Sequence, residues 1–115
     1  MNTTKSPPVV PAFQTVSAAL VPQCAPRPRI IDVREPVEFS GELGHIPGAE
    51  LVPLGTLEVA ARGWARDAPL MVVCRSGARS ARAAAILLQL GFRDVVNVEG
   101  GTQAYLQPGL PVDRG

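Results

Sequence analysis

From residue 29 onward, short runs of consecutive apolar residues alternate with stretches of helical spacing, and each junction carries turn chemistry. Arg29-Ile-Ile-Asp32 reads as a short buried strand. Glu35 to Ser40 reads as a short helix that Pro36 opens at its first position, where a missing N–H costs nothing. Gly44-His-Ile-Pro-Gly48 is a turn, followed by a brief strand near Glu50 to Pro53. Leu54 to Arg62 has apolar residues at Leu54, Leu57, Val59 and Ala61, an irregular helix ended by Gly63. Pro69 introduces Leu70-Met-Val-Val73, apolar at every position, as suits a central strand covered on both faces. Arg79 to Leu90 is the strongest helix: Ala83, Ile86, Leu87 and Leu90 form one stripe, and Gly91 is placed just past its end. Asp94-Val-Val-Asn-Val98 is a further strand, Gly100-Gly101 breaks it, and Thr102 is placed to cap a last short helix through Tyr105 before Pro108. Nearer the start, Thr15 to Val21 predicts a short helix capped by Thr15 or Ser17 and ended by Pro22. Alternating strands and helices with short loops predict an α/β domain of three layers, a central, mostly parallel sheet flanked by helices. Half of the twelve prolines fall in the first 28 residues. The expected division is a proline-rich tail over residues 1–13 and one folded domain over 14–115.

Composition narrows the chemistry. With 115 residues and 46% hydrophobic content, the chain has enough apolar material for one core, which excludes disorder as the whole answer. At this size neither a disulfide nor a structural metal is required for stability. Cys24 and Cys74 show no C-x-x-C or C-x-x-H spacing and His45 is the single histidine, which argues against a disulfide scaffold and a zinc finger alike. A net charge of +1 provides no electrostatic footprint for nucleic acid and points to a small or neutral partner. The only lysine is Lys5, so a Walker-type phosphate loop and a lysine Schiff base are both excluded. A signal peptide fits poorly, and no apolar run reaches the roughly 18 residues of a membrane span. The expectation is a cytoplasmic protein without a membrane or nucleic-acid partner.

The chemistry concentrates at Cys74. Ligands of open α/β sheets collect where strand carboxyl ends meet helix amino ends, and Cys74 directly follows the all-apolar strand. The loop Arg75-Ser76-Gly77-Ala78 leads from it into the helix that begins near Arg79 or Ser80. Gly77 permits a left-handed turn that points successive N–H groups into one concavity, a nest for negative charge. A helix amino end and the nearby Arg75, Arg79 and Arg82 favour thiolate over thiol, so Cys74 is expected to be largely ionised at neutral pH. Arg79 lies in the first helical turn, where the macrodipole disfavours a cation. It therefore needs a compensating anion: a bound ligand, or a carboxylate at a strand end such as Asp32 or Glu99.

The loop Cys74-Arg75-Ser76-Gly77-Ala78-Arg79-Ser80 resembles the active-site loop of single-domain rhodanese-type sulfurtransferases. Asp32-Val-Arg-Glu-Pro-Val-Glu-Phe39, Gly44-His-Ile-Pro-Gly-Ala49, and Val98-Glu-Gly-Gly101 with Gly109-Leu-Pro-Val112 resemble further motifs of that family, in the same order. The resemblance covers about residues 14 to 115. It implies a rhodanese-like fold and a thiosulfate sulfurtransferase that uses no cofactor beyond a covalent persulfide on Cys74. The implied partners are a small-molecule sulfur donor, such as thiosulfate, and an acceptor: cyanide, a small thiol or a thiol protein. Arg75 to Ser80 would bind the anion, and Asp32, Arg34 and Glu99 would support the site, with Arg34 able to pair with Glu38 one helical turn on. Arg75 would favour a dianionic donor.

The remaining candidates are weaker. His45 sits in a turn and reads as a structural hydrogen-bonding residue, and neither Ser76 nor Ser80 lies in a G-x-S-x-G elbow. Cys24, among prolines, reads as a bystander thiol, with a resolving role as the alternative. The fold also resembles that of cell-cycle dual-specificity phosphatases, which place five residues between cysteine and arginine. Here Cys74 and Arg79 enclose four, a ring better suited to sulfur than to phosphate or arsenate. A non-catalytic binding or sensing module is the other alternative. Two departures from the family pattern stand out: Tyr105 occupies a place where tryptophan is frequent, and Ser40 to Leu43 reads as a small surface insertion.

Overall fold

A computed structural model describes residues 13–114. Five strands, β1 (Gln14–Ser17), β2 (Arg29–Asp32), β3 (Glu50–Leu51), β4 (Leu70–Val73) and β5 (Val95–Glu99), form one sheet in the order β1-β5-β4-β2-β3. Every pairing is parallel. The α-helices are α1 (Pro36–Phe39), α2 (Leu57–Ala60), α3 (Ala78–Gln89) and α4 (Gly101–Leu106).

Strand β4 lies at the sheet centre, and its side-chain alternation explains why all four residues are apolar. Leu70 and Val72 join the core on one face with Ile31, Ala83, Ala84 and Leu87, while Met71 and Val73 join the other with Ile30, Ile46, Val98 and Tyr105. Successive strand residues point to opposite faces, so a strand covered on both sides reads as an unbroken hydrophobic run. Helix α3 follows its predicted stripe, with Ala83, Ala84 and Leu87 fully buried.

Three expectations about the elements change. The helix predicted over Thr15 to Val21 is instead strand β1 followed by a 3-10 turn over Ala18–Gln23, with Pro22 inside it. Pairing with β5, from Gln14 beside Val96 to Ser17 beside Glu99, decides the matter, since the β-branched Thr15 and Val16 fit a sheet edge. Leu54 to Gly63 divides into a 3-10 turn, α2 and a second 3-10 turn. Thr102 does not cap the last helix: Gly100 takes the cap position and Thr102 lies buried inside α4. Of the predicted tail, residues 1–12 lie outside the described residues, whereas Phe13 packs against the core. Among the described residues no helix is long and apolar enough to cross a membrane.

Candidate active site

Strand β4 delivers Cys74 to the carboxyl edge of the sheet, and the chain then turns through Arg75, Ser76 and Gly77 into α3. Gly77 caps that helix with φ +114°, a left-handed conformation that a side chain would strain. This turn brings the Gly77 N–H to 3.0 Å from the Cys74 Sγ, to which it donates. Ser80, one turn into α3 and fully buried, donates its hydroxyl to the same sulfur at 3.4 Å. Cys74 itself is only 1% exposed.

These contacts set the thiol's ionisation. Burial is the largest single influence and pushes the pKa up, yet the Ser80 hydroxyl and the N–H groups of Ser80, Gly77 and Ser76 together outweigh it, leaving Cys74 below the ordinary thiol range. Of the influences expected from the sequence, the ring of N–H groups lowers the pKa, joined by the Ser80 hydroxyl, through hydrogen bonds to the charged form, and the arginines are not among the causes. Arg75 and Arg82 are exposed, and Arg79 is engaged elsewhere.

The loop is held from behind by α4. The Thr102 N–H donates to the Cys74 carbonyl at 2.8 Å, the Gln103 N–H to the Arg75 carbonyl at 3.1 Å, and the Thr102 hydroxyl to the Cys74 carbonyl at 3.2 Å. With the carbonyls turned toward α4, the loop's N–H groups are free to face the sulfur. Gly101, with φ +62°, makes this approach possible, because a Cβ there would run into the Cys74 and Arg75 carbonyls.

The ion pairs differ from those expected. Arg79 is compensated by Glu38 rather than by Asp32 or Glu99, in a bidentate pair at 2.7 and 2.9 Å. Glu38 also accepts the Glu35 N–H at 3.0 Å in a capping box at the start of α1. The Arg79 hydrogen bonds hold the Glu38 carboxyl down at about 2. Arg34 therefore pairs with Asp32, not with Glu38. Its guanidinium donates to both Asp32 oxygens, at 2.8 to 3.2 Å, and to the Gly44 carbonyl at 2.7 Å, with both residues essentially unexposed. Glu99 is exposed at the end of β5, away from either pair. His45 is buried, stacks on Phe39 and bonds through Nδ1 to the Phe39 carbonyl at 2.8 Å. Tyr105 is buried, its hydroxyl donating to the Pro111 carbonyl at 2.9 Å.

Beside the loop lies a cavity of about 170 Å³, whose wall includes Arg34, Glu38, Glu42 and Arg75 with the apolar Val37 and Leu43. No three His, Cys, Asp or Glu side chains among the described residues cluster closely enough to hold a metal ion. The arrangement provides a buried, hydrogen-bonded sulfur in a loop whose next residue, Arg75, lines a small cleft of mixed charge.

Residues 17–108 match the family described as Rhodanese-like domain. The chain belongs to the rhodanese-like family. A protein named sulfurtransferase from Allochromatium vinosum is 36% identical over 83 residues, which span 72% of this chain and 76% of that one. The thiosulfate sulfurtransferase GlpE of Pseudomonas aeruginosa is 35% identical over 77 residues, 67% of this chain and 68% of that one. Among solved structures, a rhodanese-related protein from Thermoplasma volcanium superposes with a TM-score of 0.79 at 33% identity, covering 90% of this chain and all of that one. For several further relatives the chain spans 60% of their length or less.

Within this rhodanese-like domain the structure brings together Cys74, Gly77, Ser80, and the N–H of Ser76, with Arg75 on the cavity wall and Ala78 exposed at the start of α3. Three contributors escaped the sequence. Helical spacing pairs Glu38 with Arg34, and the N-cap Glu35 lies outside the Ser, Thr, Asp and Asn set that marks a capping box in sequence. Thr102 and Gly101 lie 28 and 27 positions from Cys74, and nothing local marks them as the loop's support.

Proposed function

We propose that this protein is a sulfurtransferase that carries sulfane sulfur as a persulfide on Cys74. The observation that carries this reading is the Cys74 sulfur itself, buried yet met by the Gly77 N–H at 3.0 Å and the Ser80 hydroxyl at 3.4 Å. Such a ring stabilises a thiolate and, after transfer, a persulfide anion, with donors already oriented. In the first step the Cys74 thiolate attacks the outer sulfur of thiosulfate. A new S–S bond forms on Cys74, the donor's S–S bond breaks, and its electron pair leaves on sulfite. In the second step an acceptor nucleophile, cyanide or a small or protein-borne thiol, takes the outer sulfur and returns the Cys74 thiolate. Two covalent half-reactions give ping-pong kinetics. No general base is needed once the thiolate is preformed, consistent with a His45 ring that is occupied by the Phe39 carbonyl. The relatives named sulfurtransferase support the same reaction class. A reducing compartment such as the cytoplasm would keep the Cys74 thiol available for this chemistry.

The test is intact mass after incubation with thiosulfate, together with thiocyanate release on adding cyanide. The expected result is a gain of about 32 Da, one sulfur atom, on Cys74, lost together with turnover in Cys74→Ser. Equal turnover by both proteins would sink the mechanism.

A further inference from the structure

Three arginines stand around the cavity and the loop, and their charges are not equally available. Arg34 lines the cavity and is matched by the buried Asp32. Arg79 is matched by Glu38, and it is Glu38, not Arg79, that lines the cavity. Arg75 lines the cavity and has no carboxylate partner among the described residues. Glu42 adds a carboxylate to the same wall. A ligand in this cavity thus meets one uncompensated cation, Arg75, the residue next to Cys74, although three arginines stand around it. The Glu38 carboxylate cannot swing away freely, because the Glu35 N–H and both terminal nitrogens of Arg79 fix it.

Resting on the sulfur-transfer reading above, we propose that Glu38 sets how strongly the site favours a dianionic sulfur donor: by neutralising Arg79 it reduces the advantage of a dianion over a donor of a single negative charge. Glu38 is a positioning residue that acts through Arg79 and touches neither the sulfur nor the donor's reacting atoms. Glu38→Gln removes the charge while leaving a side chain that completes a capping box equally well, so the fold is kept.

The experiment compares thiosulfate, a dianion, with methanethiosulfonate, which carries one negative charge. Both react alike: Cys74 takes the outer sulfur and the broken bond's electron pair leaves on sulfite or methanesulfinate. In Glu38→Gln the ratio of kcat/KM for thiosulfate to that for methanethiosulfonate should rise about fivefold at low salt, mainly through the thiosulfate KM, and the gain should shrink as ionic strength rises. Glu38→Asp, which keeps the charge, should stay near the wild-type ratio. The relative rates at which iodoacetate (anionic) and iodoacetamide (neutral) alkylate Cys74 provide a readout independent of turnover, and should shift toward iodoacetate in Glu38→Gln only. A change below about twofold in either ratio overturns the proposal. If wild type forms no persulfide with either donor, the sulfur-transfer reading fails, and the alkylation ratio still decides the role of Glu38.

Discussion

Replacing Ser80 with alanine removes one hydrogen bond from the Cys74 sulfur and should raise the thiol pKa. The hydroxyl lies 3.4 Å from Sγ, and it also reaches the Gly77 carbonyl at 3.2 Å. A hydrogen bond to a charged group is worth about 1.5 to 3 kcal/mol net, but this hydroxyl has a single proton to divide between two acceptors. The lower figure, about 1.5 kcal/mol, corresponds to a rise of about one pKa unit. The shift stays partial because the Ser76, Gly77 and Ser80 N–H groups remain. The assay is the pH dependence of Cys74 alkylation by iodoacetamide in a Cys24→Ser background, so that a single thiol reports. Linkage provides a second readout. A thiol whose pKa is depressed by folding stabilises the fold fully above its unfolded pKa, and loses that contribution as pH falls through the folded value. Ser80→Ala should narrow that window from its lower edge. A midpoint that moves by less than about 0.3 unit in a folded variant would refute the assignment of Ser80 as the side-chain donor that lowers this pKa.

Three further outcomes are expected. Asp32→Ala strands the fully buried Arg34 guanidinium and should cost about 3 to 5 kcal/mol in urea unfolding; a loss under about 1 kcal/mol would show that the pair is dispensable. Gly101→Ala forces a Cβ onto the Cys74 and Arg75 carbonyls at φ +62°, and should cost about 3 kcal/mol while speeding amide exchange in the loop; wild-type exchange would contradict the clamp. The Glu38 carboxyl, held down from 4.5 to about 2 by Arg79, contributes stability that is complete above the unfolded value and disappears as pH falls toward 2. With the pair's side chains 37% and 26% exposed, solvent screening limits the contribution to about 1 kcal/mol. Acid titration of stability in wild type should be steeper than in Glu38→Gln, and identical curves would remove the pair from the balance.

Much of the fold is legible in the residues because the sheet is parallel and covered on both faces. Leu70 to Val73 announces itself by a run with no polar break, Arg29 to Asp32 by its Ile30-Ile31 pair, and α3 by its stripe and Gly91. Strand β1 was not legible: its pairing is with β5, some 80 positions away, and locally the same residues fit a short helix. The centre of the site follows a similar division. Cys74 and Gly77 act through the backbone of one short loop, so their order in sequence implies their geometry. Ion pairing does not follow sequence proximity, because Arg34 had Asp32 and Glu38 both within four positions and the choice was made by Arg79, which reaches Glu38 across 41 positions. Depth of burial decides between them: the Asp32 site is closed to water and demands a full complement of donors, whereas Glu38 stands at the cavity rim.

The stitching of the loop to α4 restricts which neighbouring chemistries this scaffold can reach. A ring able to seat a tetrahedral oxyanion needs at least one more residue between Cys74 and Arg79. Because Thr102 and Gln103 hold the carbonyls of Cys74 and Arg75, an insertion that spares both stitches has to fall between Arg75 and Arg79, where it shifts Arg79 relative to Glu38. Glu38 also completes the capping box of α1, so a longer loop needs a new partner for Arg79 and disturbs the start of that helix at the same time. The four-residue spacing is thereby tied to α1 as well as to the loop.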